Sequence, residues 1–181
     1  MIFLAVLFCL DVVVFWWWRN DRRETRFDLQ IHQAAAEYGM DPALIKAIVW
    51  RESRFNPKAR GSAGEIGLMQ LREIAAREWA EANGVRGFEI EHLLNPSTNL
   101  LAGTWYLKKC RDRSPYLDDP LPFALAAYNA GPKRVKYWKK INGNPQKKKI
   151  DYVDWIELIK FKETRNYVQR VLENVNVYKY I

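Results

Sequence analysis

The chain has 181 residues, of which 49% are hydrophobic and 28% are charged, and its formal net charge is +8 at pH 7. This length suits one ordinary domain with a buried core, and the composition excludes a disordered chain, a collagen-like chain and a polytopic membrane protein. The excess of lysine and arginine favours an anionic partner, such as a nucleic acid, an acidic membrane or an acidic polymer.

The N-terminal segment is predicted to lie outside the folded domain. Residues 2–18 form an apolar run that only Asp11 interrupts, and the run ends in three tryptophans followed by several arginines. As a helix this run would span about 25 Å, near the lower limit for crossing a bilayer, and such flanks are typical of a membrane interface. We therefore expect an N-terminal apolar helix at residues 1–18, acting as a signal anchor or signal peptide, and a charged linker at residues 19–27. The alternative is a buried core helix.

From residue 28 onward the sequence has a helical period and predicts one all-α domain over residues 28–181. Asp28 is expected to cap the first helix, and the pairs Asp41-Pro42 and Asn95-Pro96 are typical of helix starts. Glycines at 39, 84 and 131 are typical of helix ends. The predicted helices cover approximately 28–38, 42–55, 72–83, 95–113, 120–131 and 163–178, with short helical stretches around Val135 and Asp154.

The chain contains two cysteines, Cys9 and Cys110, and two histidines, His32 and His92. Their spacing matches neither a disulfide framework nor a metal-binding motif. We therefore expect no metal and no cofactor.

Glu52 is the most informative residue of the sequence. At 100° per residue it falls on the same helix face as Ile45, Ile48 and Val49. Burial disfavours the ionised form of a carboxyl group and raises its pKa, and an acid that stays protonated near neutral pH suits glycoside cleavage. The pattern alone supports equally well a structural glutamate paired with an arginine, for example Arg165.

Three further segments favour the chemical interpretation. Gly67 permits a close approach of the backbone, and Gln70 offers the donor and acceptor that an amide-bearing sugar requires. Tyr128 and Asn129 are polar residues at the end of an apolar helix, and Glu163 lies in the first turn of the last helix. Taken singly, each segment also has a purely structural interpretation. The segment with Gly67 and Gln70 could be a loop-to-helix junction, the one with Tyr128 and Asn129 a capped helix end, and Glu163 an ordinary glutamate in a first helical turn.

Taken together, the ordered motifs of the chain resemble those of the lytic transglycosylases of bacterial peptidoglycan, and the last motif looks most like the soluble branch. The resemblance covers residues 31–178 and implies an all-α, lysozyme-like single globular domain, a fold shared with goose-type lysozymes. It rests on Glu52-Ser53, Gly67-Leu68-Met69-Gln70, Asn95-Pro96 with Asn99-Leu100 and Ala102-Gly103, Ala127-Tyr128-Asn129-Ala130-Gly131, and Glu163-Thr164-Arg165-Asn166-Tyr167-Val168.

The resemblance implies cleavage of the β-1,4 bond between N-acetylmuramic acid and N-acetylglucosamine, with a 1,6-anhydromuramoyl product. Glu52 would be the single catalytic residue, acting first as an acid and then as a base, and Glu163 would line the cleft toward the peptide stem. The residues expected to contact substrate are Ser53, Met69, Gln70, Tyr128, Asn129 and Glu163.

Two positions depart from the pattern usual in that family. Arg72-Glu73 replaces a usual Met-Pro pair, which predicts a more polar cleft floor. Glu65 stands where a small apolar residue is more common, and we expect its side chain to face solvent rather than the site.

The expected partners are peptidoglycan glycan strands and, through the N-terminal segment, a membrane; we expect no nucleic acid and a monomer. The expected location is the periplasm or cell envelope, with residues 2–18 as an anchor in the inner membrane. A hydrolytic lysozyme of the same fold and a non-catalytic peptidoglycan-binding module remain alternatives. A nucleic-acid-binding helical domain rests on charge alone, because no helix-turn-helix pattern stands out.

Overall fold

A computed structural model of the chain describes residues 23–113, 119–141 and 152–179. The predicted apolar helix at residues 1–18 lies outside these ranges, as do the first residues of the predicted linker. Within them the chain has no β-strand, as the helical period predicts, and in addition to helical residues 23–25 it forms eight α-helices and one 3₁₀ helix. In chain order these are α1 (Asp28–Tyr38), α2 (Pro42–Ser53), α3 (Glu73–Ala82), the 3₁₀ helix (Ile90–Leu94), α4 (Pro96–Asp112), α5 (Leu121–Ala130), α6 (Pro132–Ile141), α7 (Tyr152–Glu157) and α8 (Lys162–Tyr178).

The capping residues explain where several helices begin and end. The Asp41 side chain accepts a hydrogen bond from the Ala43 N–H at 2.8 Å. In the same way, the Asn95 side chain accepts from the Thr98 N–H at 3.2 Å, so both predicted starts are confirmed. The predicted cap at Asp28 is wrong, because Asp28 is the first residue of α1 and its side chain makes no capping hydrogen bond.

The central helix of the domain is α2, against which α1 and α8 pack. Residues 43–49 form an unbroken buried run, so the helix is covered on all sides instead of having one apolar face. Lys46 is part of this run and forms an ion pair with Asp28 of α1, with 2.7 Å between Nζ and Oδ1. Partnering of this kind is what allows a charged side chain to be buried.

A second hydrophobic cluster lies among α3, the 3₁₀ helix and α4, with Trp79, Leu93 and Ala102 among its buried residues. The loop from 56 to 72 connects this cluster to α2 and contains two isolated antiparallel bridges, Arg60–Ile66 and Ile66–Leu71. The 3₁₀ helix was not predicted from the sequence. It is only five residues long and has three residues per turn, so its sequence does not show the α-helical period of hydrophobic residues.

Near the ends of the described chain, Phe27 is buried and the Tyr178 hydroxyl donates to the Glu24 carboxylate at 3.2 Å. The packed domain therefore includes residues before position 28, where the boundary of the domain was predicted. None of the described helices combines the length and the apolar character needed to span a bilayer.

Candidate active site

Glu52 is the penultimate residue of α2, and the chain turns sharply just after it. Arg54 and Phe55 both have positive φ angles, 51° and 59°, in the left-handed region that non-glycine residues rarely occupy. This turn ends α2 one residue after Glu52 and leads the chain into the loop from 56 to 72. The carboxyl group is therefore presented at the C-terminal end of the most buried helix, where its side chain is partly buried.

The environment of Glu52 raises the pKa of its carboxyl group to about 7. Burial is the largest cause, because a charged carboxylate loses solvation there. The Tyr167 hydroxyl and the Arg51 guanidinium stabilise the carboxylate and lower the pKa, whereas the like charge of Glu65 raises it. The net effect is an acid that holds its proton near neutral pH, as a general acid must.

Two tyrosines face Glu52 from other helices. Tyr167 of α8 is buried, and its hydroxyl interacts with the Glu52 carboxyl group without forming a hydrogen bond of normal geometry to any described residue. Tyr128 of α5 donates its hydroxyl to the Met69 carbonyl oxygen at 2.7 Å. Burial, followed by the charge of Glu52, raises the pKa of each tyrosine well above its ordinary value. Both therefore remain hydrogen-bond donors in the pH range where Glu52 titrates.

Asn99 of α4 holds the loop that carries the glycine and glutamine of the site. Its buried amide accepts from the Met69 N–H at 2.8 Å and donates to the carbonyl oxygens of Ile66 and Leu93 at 2.8 and 3.0 Å. Gly67 has a φ of 81°, and a Cβ there would lie 2.6 Å from the Leu93 carbonyl oxygen and overlap the Asn99 amide. The close approach expected at Gly67 is thus to the protein's own backbone and to Asn99.

Gln70 lies at the end of this loop with a φ of 47°. Its side-chain NH₂ donates to the carbonyl oxygens of Gly67, at 2.8 Å, and Ala59, at 3.2 Å. Among the described residues, none donates to its Oε1, which leaves that atom free to accept a hydrogen bond from a ligand.

The other predicted contact residues lie at different depths. The Met69 side chain is fully buried against Gly103, so only its backbone reaches toward Tyr128. The Ser53 hydroxyl donates to the Val49 carbonyl oxygen at 3.1 Å. Asn129 is exposed, and its oxygen accepts from the buried Thr164 hydroxyl at 2.8 Å, which joins α5 to α8. Glu163, the residue before Thr164, is exposed in the first turn of α8.

Three findings differ from the sequence analysis or add to it. Arg165 does not pair with Glu52, because its guanidinium donates to the Glu157 carbonyl oxygen at 2.8 Å. Glu65 does not simply face solvent: its side chain is 26% exposed and its charge acts on Glu52. Tyr167 was missed as a site residue, although its place on the buried face of α8 marked it as an unusual polar residue in an apolar stripe.

No three histidine, cysteine, aspartate or glutamate side chains in the described ranges lie close enough together to hold a metal ion.

Solved structures share this arrangement of helices, which defines the class as an all-α, lysozyme-like domain. An inactive mutant of lytic transglycosylase Slt from Pseudomonas aeruginosa superposes with a TM-score of 0.76 at 32% identity, covering 86% of this chain and 24% of that one. The 70-kDa soluble lytic transglycosylase from Escherichia coli superposes with a TM-score of 0.75, also at 32% identity, covering 85% of this chain and 24% of that one.

The chain belongs to the transglycosylase SLT domain family, whose model matches residues 30–151. The soluble lytic murein transglycosylase of Escherichia coli K12 is 34% identical over 165 residues, which are 88% of this chain and 24% of that protein. The membrane-bound lytic murein transglycosylase F of Desulfosudis oleivorans is 37% identical over 125 residues, which are 67% of this chain and 26% of that protein. The chain thus spans about a quarter of the length of these curated relatives.

Proposed function

We propose that this chain is a lytic transglycosylase that cleaves the β-1,4 bond between N-acetylmuramic acid and N-acetylglucosamine in peptidoglycan. The observation that carries the proposal is Glu52, a partly buried acid at the end of α2 whose carboxyl pKa is raised to about 7. Membership of the SLT family and the names of its relatives support the same reaction.

The first half of the reaction uses the protonated form of Glu52. The carboxyl group gives its proton to the glycosidic oxygen while the bond from that oxygen to C1 of the muramic residue breaks. N-acetylglucosamine then leaves with a C4 hydroxyl, and positive charge develops at C1. Because the Glu52 pKa lies near neutrality, a large fraction of the enzyme holds this proton at pH 7.

The second half uses the Glu52 carboxylate as a base. It takes the proton from the C6 hydroxyl of the same muramic residue, and the C6 oxygen forms a bond to C1. The product is a 1,6-anhydro sugar, Glu52 is protonated again, and no water is consumed. Tyr167 and Arg51 stabilise the carboxylate between the two steps, since both lower the Glu52 pKa.

The proposed substrate contacts follow from the groups that the fold leaves available. Gln70 Oε1 can accept from a sugar amide, and the exposed Asn129 and Glu163 lie on adjoining ends of α5 and α8. Ser53 and Met69 act through their own hydrogen bonds, which fix the end of α2 and the position of Tyr128.

We place the protein in the periplasm or cell envelope, where its substrate lies, and propose that it works as a monomer. Relatives with soluble and with membrane-bound names occur in the same family. The apolar residues 2–18 would anchor this chain to the inner membrane.

Hydrolysis is the second candidate reaction, because Glu65 brings a second carboxyl group into the surroundings of Glu52. Glycosidases that use water ordinarily employ two carboxyl groups, one of which activates the water or attacks C1. The products separate the two candidates, since hydrolysis leaves a reducing-end muramic residue and transglycosylation an anhydro one.

The test is digestion of purified peptidoglycan followed by mass spectrometry of the soluble products. We expect anhydromuropeptides from the wild-type chain and none from Glu52→Gln. Glu81→Gln is the matched control, because Glu81 is also the penultimate residue of its helix but is exposed; it should behave as wild type. Reducing-end products would assign the chain to hydrolysis. Sedimentation with the wall but no soluble product would assign it to a non-catalytic binding module.

A further inference from the structure

Two side-chain amides of the candidate site are held by the protein in opposite orientations. The NH₂ group of Gln70 donates to the carbonyl oxygens of Gly67 and Ala59, so its oxygen is the atom left for a ligand. Asn129 is held the other way round. Its oxygen accepts a hydrogen bond from the Thr164 hydroxyl at 2.8 Å, and its NH₂ group has no hydrogen-bond partner among the described residues.

Thr164 is suited to fix the orientation of the Asn129 amide because its hydroxyl is shielded from solvent. The residue lies in the first turn of α8 and is 4% exposed, so water competes little for the hydroxyl. A hydroxyl must donate to an amide oxygen, which can only accept. The contact therefore determines which end of the amide faces α8. Since Asn129 is exposed, its NH₂ group is the end left for solvent or a ligand.

On α8 this pair lies one helical turn from the contact with the proposed acid. Thr164 and Tyr167 are both buried and three residues apart, so they share a face of the helix. Their separation along the helix axis is about 4.5 Å. The Tyr167 hydroxyl interacts with the Glu52 carboxyl group. The Thr164 hydroxyl and the Glu52 carboxyl group thus lie on the same side of α8, at neighbouring levels.

On α5 the residue before Asn129 also belongs to the surroundings of the acid. Tyr128 is close enough to Glu52 to be affected by its charge. The Tyr128 hydroxyl donates at 2.7 Å to the carbonyl oxygen of Met69, which immediately precedes Gln70. The two oriented amides, Gln70 and Asn129, are therefore next along the chain to two residues that contact each other beside Glu52.

The opposite orientations match the two polar ends of a secondary amide. Such an amide has an N–H that donates and a carbonyl oxygen that accepts. The oxygen of Gln70 suits the first, and the NH₂ group of Asn129 suits the second. Peptidoglycan contains amides of this kind in the acetamido groups of its sugars and in its stem peptides. A site with a donor fixed in this way discriminates against a substrate that lacks the carbonyl oxygen.

We propose that Thr164 is a positioning residue for the reaction proposed above: by holding the oxygen of Asn129, it presents the Asn129 NH₂ group to an amide carbonyl oxygen of the substrate. The contact is made before the glycosidic bond breaks and is kept while it breaks, so it contributes to substrate binding and not to the chemical step. This role depends on the proposed function, because it requires a glycan strand beside Glu52.

The first test compares Thr164→Val with Thr164→Ser in the digestion of peptidoglycan. Valine has nearly the shape of threonine, and the exposed Asn129 oxygen can be hydrated in its place, so the urea midpoint of unfolding should stay near that of wild type. We expect KM to rise about threefold to tenfold in Thr164→Val, the effect of one hydrogen bond, with kcat and its pH profile unchanged. Serine keeps the hydroxyl, so Thr164→Ser should restore KM to within about twofold of wild type.

Asn129→Ala tests whether Thr164 acts through Asn129. This variant removes the NH₂ group and should raise KM at least as much as Thr164→Val does. In the Asn129→Ala background Thr164→Val should have no further effect on KM, because the group that Thr164 positions is gone. Losses that add in the double variant would overturn the proposal, and so would an unchanged KM in Thr164→Val.

Thr98→Val is the matched control, because it removes the hydroxyl from another threonine–asparagine pair. The Thr98 Oγ1 lies 3.5 Å from Asn95 Oδ1 at the start of α4, and the Thr98 N–H continues to donate to that oxygen when the hydroxyl is lost. KM should therefore equal that of wild type. A rise in this control as large as in Thr164→Val would overturn the proposal, because it would show a general effect of removing a hydroxyl.

Two modified substrates identify the amide carbonyl that Asn129 contacts. Strands freed of stem peptides by an amidase keep the sugar acetamido groups, and de-N-acetylated strands keep the stem peptides. If the effect of Thr164→Val on KM disappears only with the de-N-acetylated strands, the contact is to a sugar. If it disappears only with the peptide-free strands, the contact is to the stem. An effect that persists in full with both substrates would overturn the proposal.

Binding to an inactive chain separates this role from the proposed function. In the Glu52→Gln background, isothermal titration calorimetry with soluble peptide-bearing glycan strands should give a Kd about threefold to tenfold higher when Thr164→Val is added. Absence of anhydro products from the wild-type chain would refute the proposed function but leave this ratio of Kd values intact. An unchanged Kd, together with anhydro products from the wild-type chain, would overturn the role of Thr164 alone.

Discussion

Replacing Asn99 by alanine tests whether one buried amide holds the loop beside Glu52. The amide satisfies three backbone groups: the Met69 N–H and the carbonyl oxygens of Ile66 and Leu93, all at 2.8–3.0 Å. Asn99 is 1% exposed, so these groups are shielded from bulk water in the folded domain. The Ile66 carbonyl oxygen keeps a hydrogen bond from the Leu71 N–H at 3.1 Å, so two groups, the Met69 N–H and the Leu93 carbonyl oxygen, lose their partner. At roughly 1–3 kcal/mol for each group, the expected loss is about 2–6 kcal/mol for the variant.

Urea unfolding followed by tryptophan fluorescence measures this loss. A domain is typically stabilised by about 5–15 kcal/mol, so a decrease of that size is a large part of the total. The urea concentration at the unfolding midpoint should therefore fall clearly. Asn83→Ala is the matched control, because the Asn83 amide donates to one carbonyl oxygen, that of Trp79, and is exposed; its loss should be about 1 kcal/mol or less. A loss below about 1 kcal/mol for Asn99→Ala would refute the reasoning, since it would mean that the loop relaxes or hydrates without the amide.

Two further predictions concern the pH dependence of stability and the packing behind the site. The folded pKa of Glu52, about 7, exceeds the ordinary value of 4.5, so its contribution to the unfolding free energy is present below pH 4.5 and is lost as the pH rises through 7. Glu52→Gln should therefore be more stable than wild type at pH 8, by about 1–2 kcal/mol for a partly buried group, and this difference in stability should shrink at pH 5. Urea unfolding at both pH values measures the difference. An equal difference at pH 5 and pH 8 would contradict the prediction. Gly103→Ala would place a Cβ atom 2.9 Å from the Cβ atom of the buried Met69. We expect the free energy of unfolding to fall by about 1–3 kcal/mol because of this overlap. A variant as stable as wild type in urea unfolding would contradict the packing described.

The sequence predicted the local features of the fold because they depend on neighbouring residues. The starts at Asp41 and Asn95 follow from side chains that cap their own helices, and the position of Glu52 follows from the helical period. The full burial of α2, including Lys46, could not be read in this way, because it depends on which helices pack around it.

The partners within the site were harder to predict because they are distant in sequence. Tyr167 is 115 residues from Glu52, and helical periodicity shows that it lies on a buried face but not which residue it meets. Arg165 was the arginine considered for Glu52, but it lies on another part of the α8 surface and pairs with Glu157. Glu65 was expected in solvent, because nothing local showed that Gly61 leaves space for its carboxylate.

The direction of α2 has a consequence for the reaction. Peptide dipoles along a helix give its last turn a partial negative charge, and Glu52 occupies that turn. Anion-binding proteins bind their ligands at the N-terminal end of a helix, which carries the opposite partial charge. The C-terminal end of α2 instead suits a carboxyl group that is protonated before the reaction. It also suits a sugar ring that becomes cationic as the glycosidic bond breaks. The orientation of one buried helix thus contributes to the chemistry at its end without the participation of any further side chain.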